Sequence, residues 1–283
     1  MIIKKQRTKT LAMKANGRSA DITSPNFLYF CGASCRYCYC KRNPRFRTHG
    51  YINENMLDIL AVIDKWANEQ PYPKIPNQVH ETMYGVDIAN ATDISRHYAD
   101  YNWSYVFDWF KDRPKIFPTF ATKFVNNKLL AHTGRIRFSL MPQEYSSILE
   151  PGTTPIHIRI KAIDRFIEHG WDVNINLSPV VYIPGESHLY RELFEQIAKS
   201  KYLSKIQSEI IFLTHDRGLH EYNLVNYPEA EELLWQPDIQ ETKNSQHRQC
   251  TLRYEHRMKA QLINQFTQMY NEYIPEVNIR YIF

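Results

Sequence analysis

The segment "FCGASCRYCYCKR", residues 30–42, contains four of the five cysteines in the chain. Three of them, Cys31, Cys35 and Cys38, follow the spacing C-x3-C-x2-C, and Cys40 comes two residues later. Disulfides within this segment would close very small, strained loops. In a reducing compartment, clustered cysteines are more often metal ligands or catalysts. The spacing therefore predicts a metal-binding loop.

Two kinds of metal centre fit a loop of this composition. A structural zinc ion usually takes two pairs of ligands that are well separated in the chain, whereas here one loop would supply all four thiolates. A [4Fe–4S] cluster also takes cysteine thiolates, and three ligands from one loop would leave one iron open to a further molecule. The loop therefore favours a [4Fe–4S] cluster over zinc. Cys40 is a spare thiol near the cluster, a radical partner or a small buried residue, and we favour the last of these interpretations.

The composition predicts a globular chain without a membrane span. Of the 283 residues, 43% are hydrophobic, and no run approaches the roughly 18 apolar residues of a membrane helix. The basic N-terminus is not followed by an apolar signal core, so we expect a cytoplasmic protein. The net charge is +5, and basic residues gather within 4–18, 36–47 and 248–259. Such patches favour a polyanionic partner, because contacts to phosphates release counterions.

Apolar runs with β propensity alternate with stretches of helical periodicity. The predicted strands lie at 27–30, 78–83, 116–124, 135–140, 173–183 and 209–215. The predicted helices include 154–170, opened by Thr154-Pro155, one capped by Asn53, 187–199 and 254–273. This alternation indicates βαβ units and a parallel sheet. It favours a partial (β/α)6 TIM-type barrel, with the cysteine loop after the first strand and a C-terminal helical extension, over a doubly wound open sheet.

Polar residues stand near the ends of several predicted strands. They are Cys31, Glu81, Lys123, Ser139 and His215. In a barrel of parallel strands the active site lies at the carboxyl ends, so we expect these residues to converge on one mouth. We divide the chain into a basic arm (1–20), a barrel (21–225) and a C-terminal segment with a long helix and a final strand (226–283).

The cysteine spacing resembles that of the radical S-adenosylmethionine (SAM) enzymes. An aromatic residue, here Tyr37, stands just before the third cysteine, where that superfamily packs one near the adenine of SAM. The resemblance implies that Cys31, Cys35 and Cys38 hold a [4Fe–4S] cluster whose open iron chelates the amine and carboxylate of SAM. It also implies that an electron from the cluster cleaves SAM to methionine and a 5′-deoxyadenosyl radical. An electron donor such as flavodoxin or ferredoxin would then be a partner.

Further motifs are similar to those of the spore photoproduct lyase family, within that superfamily. They are "YIN" at 51–53, "ATKF" at 121–124, "RIRFSL" at 135–140, "LEPGTTP" at 149–155, "FLTHDR" at 212–217 and "VNYP" at 225–228. The resemblance covers residues 8–225 and fades over 226–260. It implies removal of a hydrogen atom from a thymine dimer in DNA, with Lys123 and Ser139 contacting SAM. We also expect Glu81 and Asp87 to make polar contacts to SAM or to the base.

The sequence departs from that family at one position. The family returns the hydrogen atom through a cysteine in the next strand, and aligning Asp87 with its Asp-Ile pair puts Tyr84 at that position. No cysteine occurs between Cys40 and Cys250. Three explanations stay open. Tyr84 or Tyr39 donates the hydrogen, or Cys250 reaches in, or 5′-deoxyadenosine gives it back, which would make the reaction an isomerisation of a modified thymidine.

Alternative functions differ in substrate or in metal. A radical SAM enzyme could act on RNA, a free nucleotide or a peptide rather than on DNA or a thymidine-derived nucleotide, and binding assays would separate these substrates. A non-enzymatic zinc-binding module for nucleic acid could use all four clustered cysteines. Metal analysis distinguishes it, because such a protein would be colourless and contain zinc without sulfide.

Overall fold

A computed structural model of the chain describes residues 2–4, 11–16, 21–42, 50–244 and 250–283. The strands are β1 Ile2–Lys4, β2 Lys14–Ala15, β3 Ile22–Thr23, β4 Leu28–Tyr29, β5 Tyr51–Asn53, β6 Tyr84–Asp87, β7 Ile116–Thr122, β8 Arg135–Ser139, β9 Asp172–Val180, β10 Gln207–Phe212, β11 Thr214–Asp216, β12 Gln240–Asn244, β13 Cys250–Tyr254 and β14 Asn278–Ile282. The α-helices are α1 Met56–Glu69, α2 Trp103–Lys111, α3 Gln143–Leu149, α4 Ile156–Glu168, α5 Ser187–Ile197, α6 Arg217–Asn226, α7 Pro228–Leu234 and α8 His256–Tyr273. Short 3-10 helices are Tyr39–Arg42, Tyr98–Asp100, Asn127–Ala131 and Leu203–Lys205.

The main sheet has eight strands in the order β14-β10-β9-β8-β7-β6-β3-β2. Parallel pairing joins β3 to β6, β6 to β7, β7 to β8 and β10 to β14, whereas β2 pairs antiparallel at one edge. The sheet curls into a half-barrel, which confirms the predicted mixed α/β partial barrel. Two smaller sheets have the orders β1-β5-β4 and β11-β13-β12.

Contacts divide the chain into two compact units. The first comprises Met1–Gly32, Thr48–Phe138 and Arg165–Asn174, and the second comprises Ala33–Arg47, Ser139–Asp164 and Ile175–Phe283. The predicted division into arm, barrel and C-terminal segment stays a prediction.

An aromatic core organises the first unit. Helix α2 buries one face, because its large apolar residues recur at helical spacing. The ring of Phe107 packs edge-on at 6.0 Å from Phe120 on β7 and at 5.6 Å from Trp171. Each fully buried aromatic side chain stabilises the fold by about 1.5–3 kcal/mol. This packing fixes the position of β7, the strand that leads to Lys123.

The second unit has a comparable core between α5 and α8. Buried Phe194 packs 4.8 Å from Tyr270, and Tyr190 packs 4.9 Å from Phe266. Phe212 at the end of β10 lies 5.7 Å from the same Phe266 ring. The predicted long C-terminal helix and final strand are therefore present and well packed, as α8 and β14.

Two details of the predicted elements are wrong. Residues 78–83 form bends, and the strand that follows them is β6, Tyr84–Asp87. Helix α1 takes Asn55 as its N-cap residue, whereas the predicted cap, Asn53, accepts a hydrogen bond from the Asn55 amide at 3.0 Å.

The structure bears on two further sequence-based expectations. Within the described ranges, no helix is both long and apolar enough to cross a bilayer. Much of the predicted basic surface lies outside the described residues, since the missing stretches include 5–10, 17–20, 43–49 and 245–249.

Candidate active site

All five cysteines are among the described residues, and none of them forms a disulfide. Cys31 belongs to the first unit, and Cys35, Cys38 and Cys40 belong to the second. Cys35 is buried, with 5% of its surface exposed, and the other three are partly buried. Cys40 is therefore more exposed than the buried residue that the sequence analysis favoured.

In the first unit, side chains fix the backbone that leads into the cysteine loop. The Thr92 hydroxyl donates to the carbonyl oxygen of Phe30 at 2.7 Å. The Nε2 atom of His97 lies 2.7 Å from the carbonyl oxygen of Cys31. Phe30 has a φ of 146°, a conformation that is costly for a residue with a side chain. A Cβ atom at Gly50 would lie 2.7 Å from the Phe30 Cβ, so only glycine fits there. This segment is held in one strained conformation.

In the second unit, hydrogen bonds fix the middle of the loop. The Arg36 amide donates to the carbonyl oxygen of Leu149 at 2.8 Å, and Asn223 Nδ2 donates to the Arg36 carbonyl at 2.9 Å. The Tyr37 hydroxyl donates to the carboxylate of Glu150. Burial, and next the negative charge of Glu150, raises the pKa of Tyr37 well above its ordinary value. The hydroxyl therefore stays protonated and acts as a donor.

A buried ion pair supports these contacts. Arg159 Nη1 lies 2.9 Å from Glu150 Oε2, and both side chains are almost fully enclosed. Arg159 also donates to the carbonyl oxygens of Ser139 and Thr154 at 2.8 and 2.7 Å, and to the Thr153 hydroxyl at 2.6 Å. The planar guanidinium thus connects the end of β8 to the segment that carries Glu150.

Two aspartates lie near the carboxyl ends of β6 and β7. Asp87, the last residue of β6, is partly buried and pairs with Arg137 at 2.7 Å, and burial raises its pKa although Arg137 opposes the shift. Asp93 accepts hydrogen bonds from the Thr122 hydroxyl at 2.7 Å and the Lys123 amide at 2.9 Å. Lys123 therefore begins a turn whose backbone is fixed at the carboxyl end of β7.

Two predicted site residues lie elsewhere in the first unit. Glu81 is exposed and precedes β6, and Tyr84 is the first residue of that strand. The Tyr84 hydroxyl donates to the carbonyl oxygen of Pro71 at 3.2 Å, and its ring packs 5.5 Å from that of Trp66. The expectation that Glu81 stands at the carboxyl end of a strand is wrong. Both residues lie at the amino end of β6, whereas Asp87 lies at its carboxyl end.

The other two hydrogen-donor candidates belong to the second unit. Tyr39 begins the 3-10 helix Tyr39–Arg42, and Cys250 begins β13. Cys250 is partly buried and lies beside Arg217. The 3-10 helix and β13 both pack against β11 and α6, so they share a neighbourhood.

The donor set fits an iron–sulfur cluster. Three thiols stand at the required spacing, none is oxidised to a disulfide, and hydrogen bonds fix the loop backbone on both sides of Cys35. Supporting residues that sequence analysis did not single out are His97, Glu150, Arg159 and Asn223. A half-barrel of parallel strands that carries such a loop defines the class of radical SAM proteins.

Comparison with known proteins gives the family. The family model described as spore photoproduct lyase matches residues 4–283, including 226–260, where the resemblance fades. The chain belongs to this family, which confirms the sequence-based expectation. The spore photoproduct lyase of Bacillus subtilis (strain 168) is 28% identical over 196 residues, and that of Geobacillus sp. (strain Y412MC61) is 23% identical over 210 residues. These alignments cover 67% and 68% of this chain but 54% and 55% of the relatives, so the chain spans about half of each curated relative it matches.

Solved structures agree on the fold. A mutant spore photoproduct lyase with bound AdoMet and dinucleoside spore photoproduct superposes with a TM-score of 0.86 at 19% identity, covering 99% of this chain and 82% of that chain. A spore photoproduct lyase complexed with dinucleoside spore photoproduct gives a TM-score of 0.84 at 20% identity, with the same coverage. Identity at this level establishes the shared fold.

Proposed function

We propose that this chain is a radical SAM enzyme that removes a hydrogen atom from a thymine-derived base in DNA, as a repair lyase of the spore photoproduct type. The observation that carries the proposal is the C-x3-C-x2-C loop in a chain that the family model matches over residues 4–283. The relatives' names and the bound dinucleoside spore photoproduct support a DNA lesion as substrate. A flavodoxin- or ferredoxin-type electron donor and a cytoplasmic location belong to the same proposal.

The chain's own residues would bind and orient the reactants. Cys31, Cys35 and Cys38 would hold a [4Fe–4S] cluster, which when bound supplies the electron that cleaves SAM to a 5′-deoxyadenosyl radical. Lys123 presents an ammonium group at the carboxyl end of β7, where it would bind the SAM carboxylate. Ser139, at the end of β8, would bind SAM from a position that Arg159 fixes through its carbonyl oxygen.

One experiment tests the whole proposal. The full chain is reconstituted anaerobically with iron and sulfide and incubated with SAM, a reductant and dinucleoside spore photoproduct, and 5′-deoxyadenosine and repaired thymine are counted. We expect both products. Abundant 5′-deoxyadenosine without repair would point to another substrate, such as a modified thymidine that the enzyme isomerises. Failure to cleave SAM, with or without DNA, would contradict the proposal.

Replacing Lys123 by methionine is expected to weaken SAM binding about tenfold or more, because the substitution keeps the aliphatic chain but removes a charge-assisted hydrogen bond. Equilibrium dialysis of the cluster-loaded protein with labelled SAM measures the change. The matched control is Lys128→Met, since Lys128 is an exposed lysine on the 3-10 helix Asn127–Ala131. Equal affinities for the two variants would remove Lys123 from the SAM site.

Two substitutions test whether Tyr84 or Cys250 returns the hydrogen atom to the product. Tyr84 lies at the amino end of β6 with its hydroxyl bonded to Pro71, so Tyr84→Phe is expected to leave the yield of repaired thymine within about twofold of the unmodified protein. Cys250 shares its neighbourhood with the cluster-loop helix, and a thiol is the family's usual donor, so Cys250→Ala is expected to lower repaired thymine per 5′-deoxyadenosine. Product ratios measured by liquid chromatography check both. A collapse in Tyr84→Phe alone would assign the donor role to Tyr84.

A further inference from the structure

The second unit contains a buried polar cluster that includes none of the residues proposed above to bind the iron–sulfur cluster or SAM. Glu231 on α7 is buried, and its carboxylate lies 3.0 Å from His215 Nε2 and 2.5 Å from His220 Nδ1. Asn223 Nδ2 donates to Glu231 Oε1 at 2.7 Å. Three nitrogen atoms on β11 and α6 therefore surround one buried carboxylate.

The carboxylate is ionised. Burial opposes the charge of Glu231, but the hydrogen bonds from His215 and His220 together hold its pKa below the ordinary value. Because an ionised carboxylate only accepts hydrogen bonds, His215 Nε2 and His220 Nδ1 must both carry protons. Each oxygen of Glu231 then receives at least one donor, which is what a buried charge requires.

Asn223 connects this cluster to the cysteine loop. The same amide nitrogen that donates to Glu231 also donates to the carbonyl oxygen of Arg36, at 2.9 Å, and Arg36 lies between Cys35 and Cys38. The guanidinium of Arg36 in turn stacks 3.4 Å from the ring centre of Tyr227, just after α6. Side chains of the α6–α7 region therefore hold both the backbone and the side chain of one loop residue.

We infer that Glu231, His215, His220 and Asn223 form a positioning network that holds the cysteine loop in its ligand-binding conformation. Glu231 fixes the orientation of the Asn223 amide, and Asn223 fixes the peptide between the second and third cysteines. All of these hydrogen bonds join protein groups to one another. Its role toward a cluster rests on the function proposed above.

Three of these four side chains could be taken for a metal site, since two histidines and a glutamate are common zinc ligands. Two observations favour the hydrogen-bonded network. The two histidine–carboxylate distances are those of direct hydrogen bonds. Asn223 donates a further N–H hydrogen bond to the same carboxylate. A metal ion at this position would replace both histidine–carboxylate hydrogen bonds.

The first test uses hydrogen exchange of the metal-free full chain. Asn223→Ala is expected to speed amide exchange in the peptide spanning 33–42 about tenfold, because a charge-assisted hydrogen-bond network loses its link to the loop. The matched control is Asn226→Ala, since Asn226 lies on the same helix, is exposed and donates to the Tyr222 carbonyl at 2.7 Å. Glu231→Gln, which keeps the size but not the charge, is expected to give an intermediate increase. Exchange within about twofold of the unmodified chain for both Asn223→Ala and Glu231→Gln would overturn the inference.

The second test uses the cluster-loaded protein. Iron release to a chelator, followed by absorbance, is expected to be about tenfold faster for Asn223→Ala and unchanged for Asn226→Ala, in line with the effect of residues that support metal ligands. If the unmodified chain takes up no iron and sulfide, the proposed function fails, while the exchange experiment still decides the network. If a variant with Cys31, Cys35 and Cys38 all replaced by alanine binds one zinc ion that Glu231→Gln abolishes, the site is a metal centre and the inference is overturned.

Discussion

Replacing Cys35 by alanine is expected to abolish cluster binding and SAM cleavage. With two thiolates left, the loop cannot hold three irons, and the loss exceeds the 10–100-fold typical of removing a residue that only supports a metal ligand. Iron and sulfide analysis after anaerobic reconstitution, together with the count of 5′-deoxyadenosine, measures the effect. We expect at least about 100-fold less 5′-deoxyadenosine. The same result is expected for Cys31 and Cys38.

Cys40→Ala is the matched control for this experiment. Cys40 lies two residues after Cys38, in the 3-10 helix Tyr39–Arg42, and is partly buried like Cys31 and Cys38. Because it stands outside the C-x3-C-x2-C spacing, its loss is expected to leave iron, sulfide and SAM cleavage unchanged. Zinc bound by all four cysteines, with loss of metal in Cys40→Ala, would contradict the assignment and favour a zinc module.

Arg159→Met is expected to destabilise the fold by about 3–5 kcal/mol, because it leaves the buried carboxylate of Glu150 without its counter-charge. The substitution also removes donors from the carbonyl oxygens of Ser139 and Thr154. Urea denaturation followed by circular dichroism measures the change in the free energy of unfolding. Methionine keeps much of the side-chain volume, so a cavity contributes little to the effect.

The control for this prediction is an arginine in an exposed ion pair. Arg253 and Glu241 lie on paired strands of the small sheet, 3.0 Å apart, with side chains 36% and 39% exposed. Water screens such a pair, so Arg253→Met is expected to cost less than about 1 kcal/mol. Equal costs for the two arginine variants would show that the Arg159–Glu150 pair has no special role in stability.

The cysteine loop and the half-barrel were predictable because both depend on local patterns. The spacing of Cys31, Cys35 and Cys38 is readable without any tertiary information, and the apolar runs at 116–124 and 135–140 gave β7 and β8 to within a few residues. The helix predicted at 254–273 is α8, His256–Tyr273. For these strands and this helix, the spacing of apolar residues in the sequence matches the residue repeat of the element that forms.

The strand predicted at 78–83 failed for a physical reason. Asn77 Oδ1 accepts the amide of Val79 at 2.9 Å, and His80 Nδ1 accepts the amides of Thr82 and Met83 at 3.1 Å each. Side chains that bond nearby backbone amides compete with strand pairing. The apolar alternation alone did not reveal this competition, and the error moved the expected position of Glu81.

The buried polar residues around the loop were not predictable from the sequence. Arg159 reads as one more charged residue on an amphipathic helix, and Asn223 and Glu231 read as surface residues. Their roles depend on partners that the chain brings together only on folding, such as Asn223 and the Arg36 carbonyl, which are 187 positions apart. A single sequence carries no signal for such pairs.

The enclosed pair of Glu150 and Arg159 also constrains how relatives of this chain can diverge. A change at either position alone leaves a buried charge uncompensated, so drift at one of them is tolerated only after, or together with, a change at the other. Nine positions separate the two residues, and the turn between them contains Pro151 and Gly152. In an alignment of homologues, we expect positions 150 and 159 to covary. Where the charge pair is lost, we expect both positions to change to apolar residues. Such joint substitution would mark the branches of the family in which the support of Tyr37 has been rebuilt.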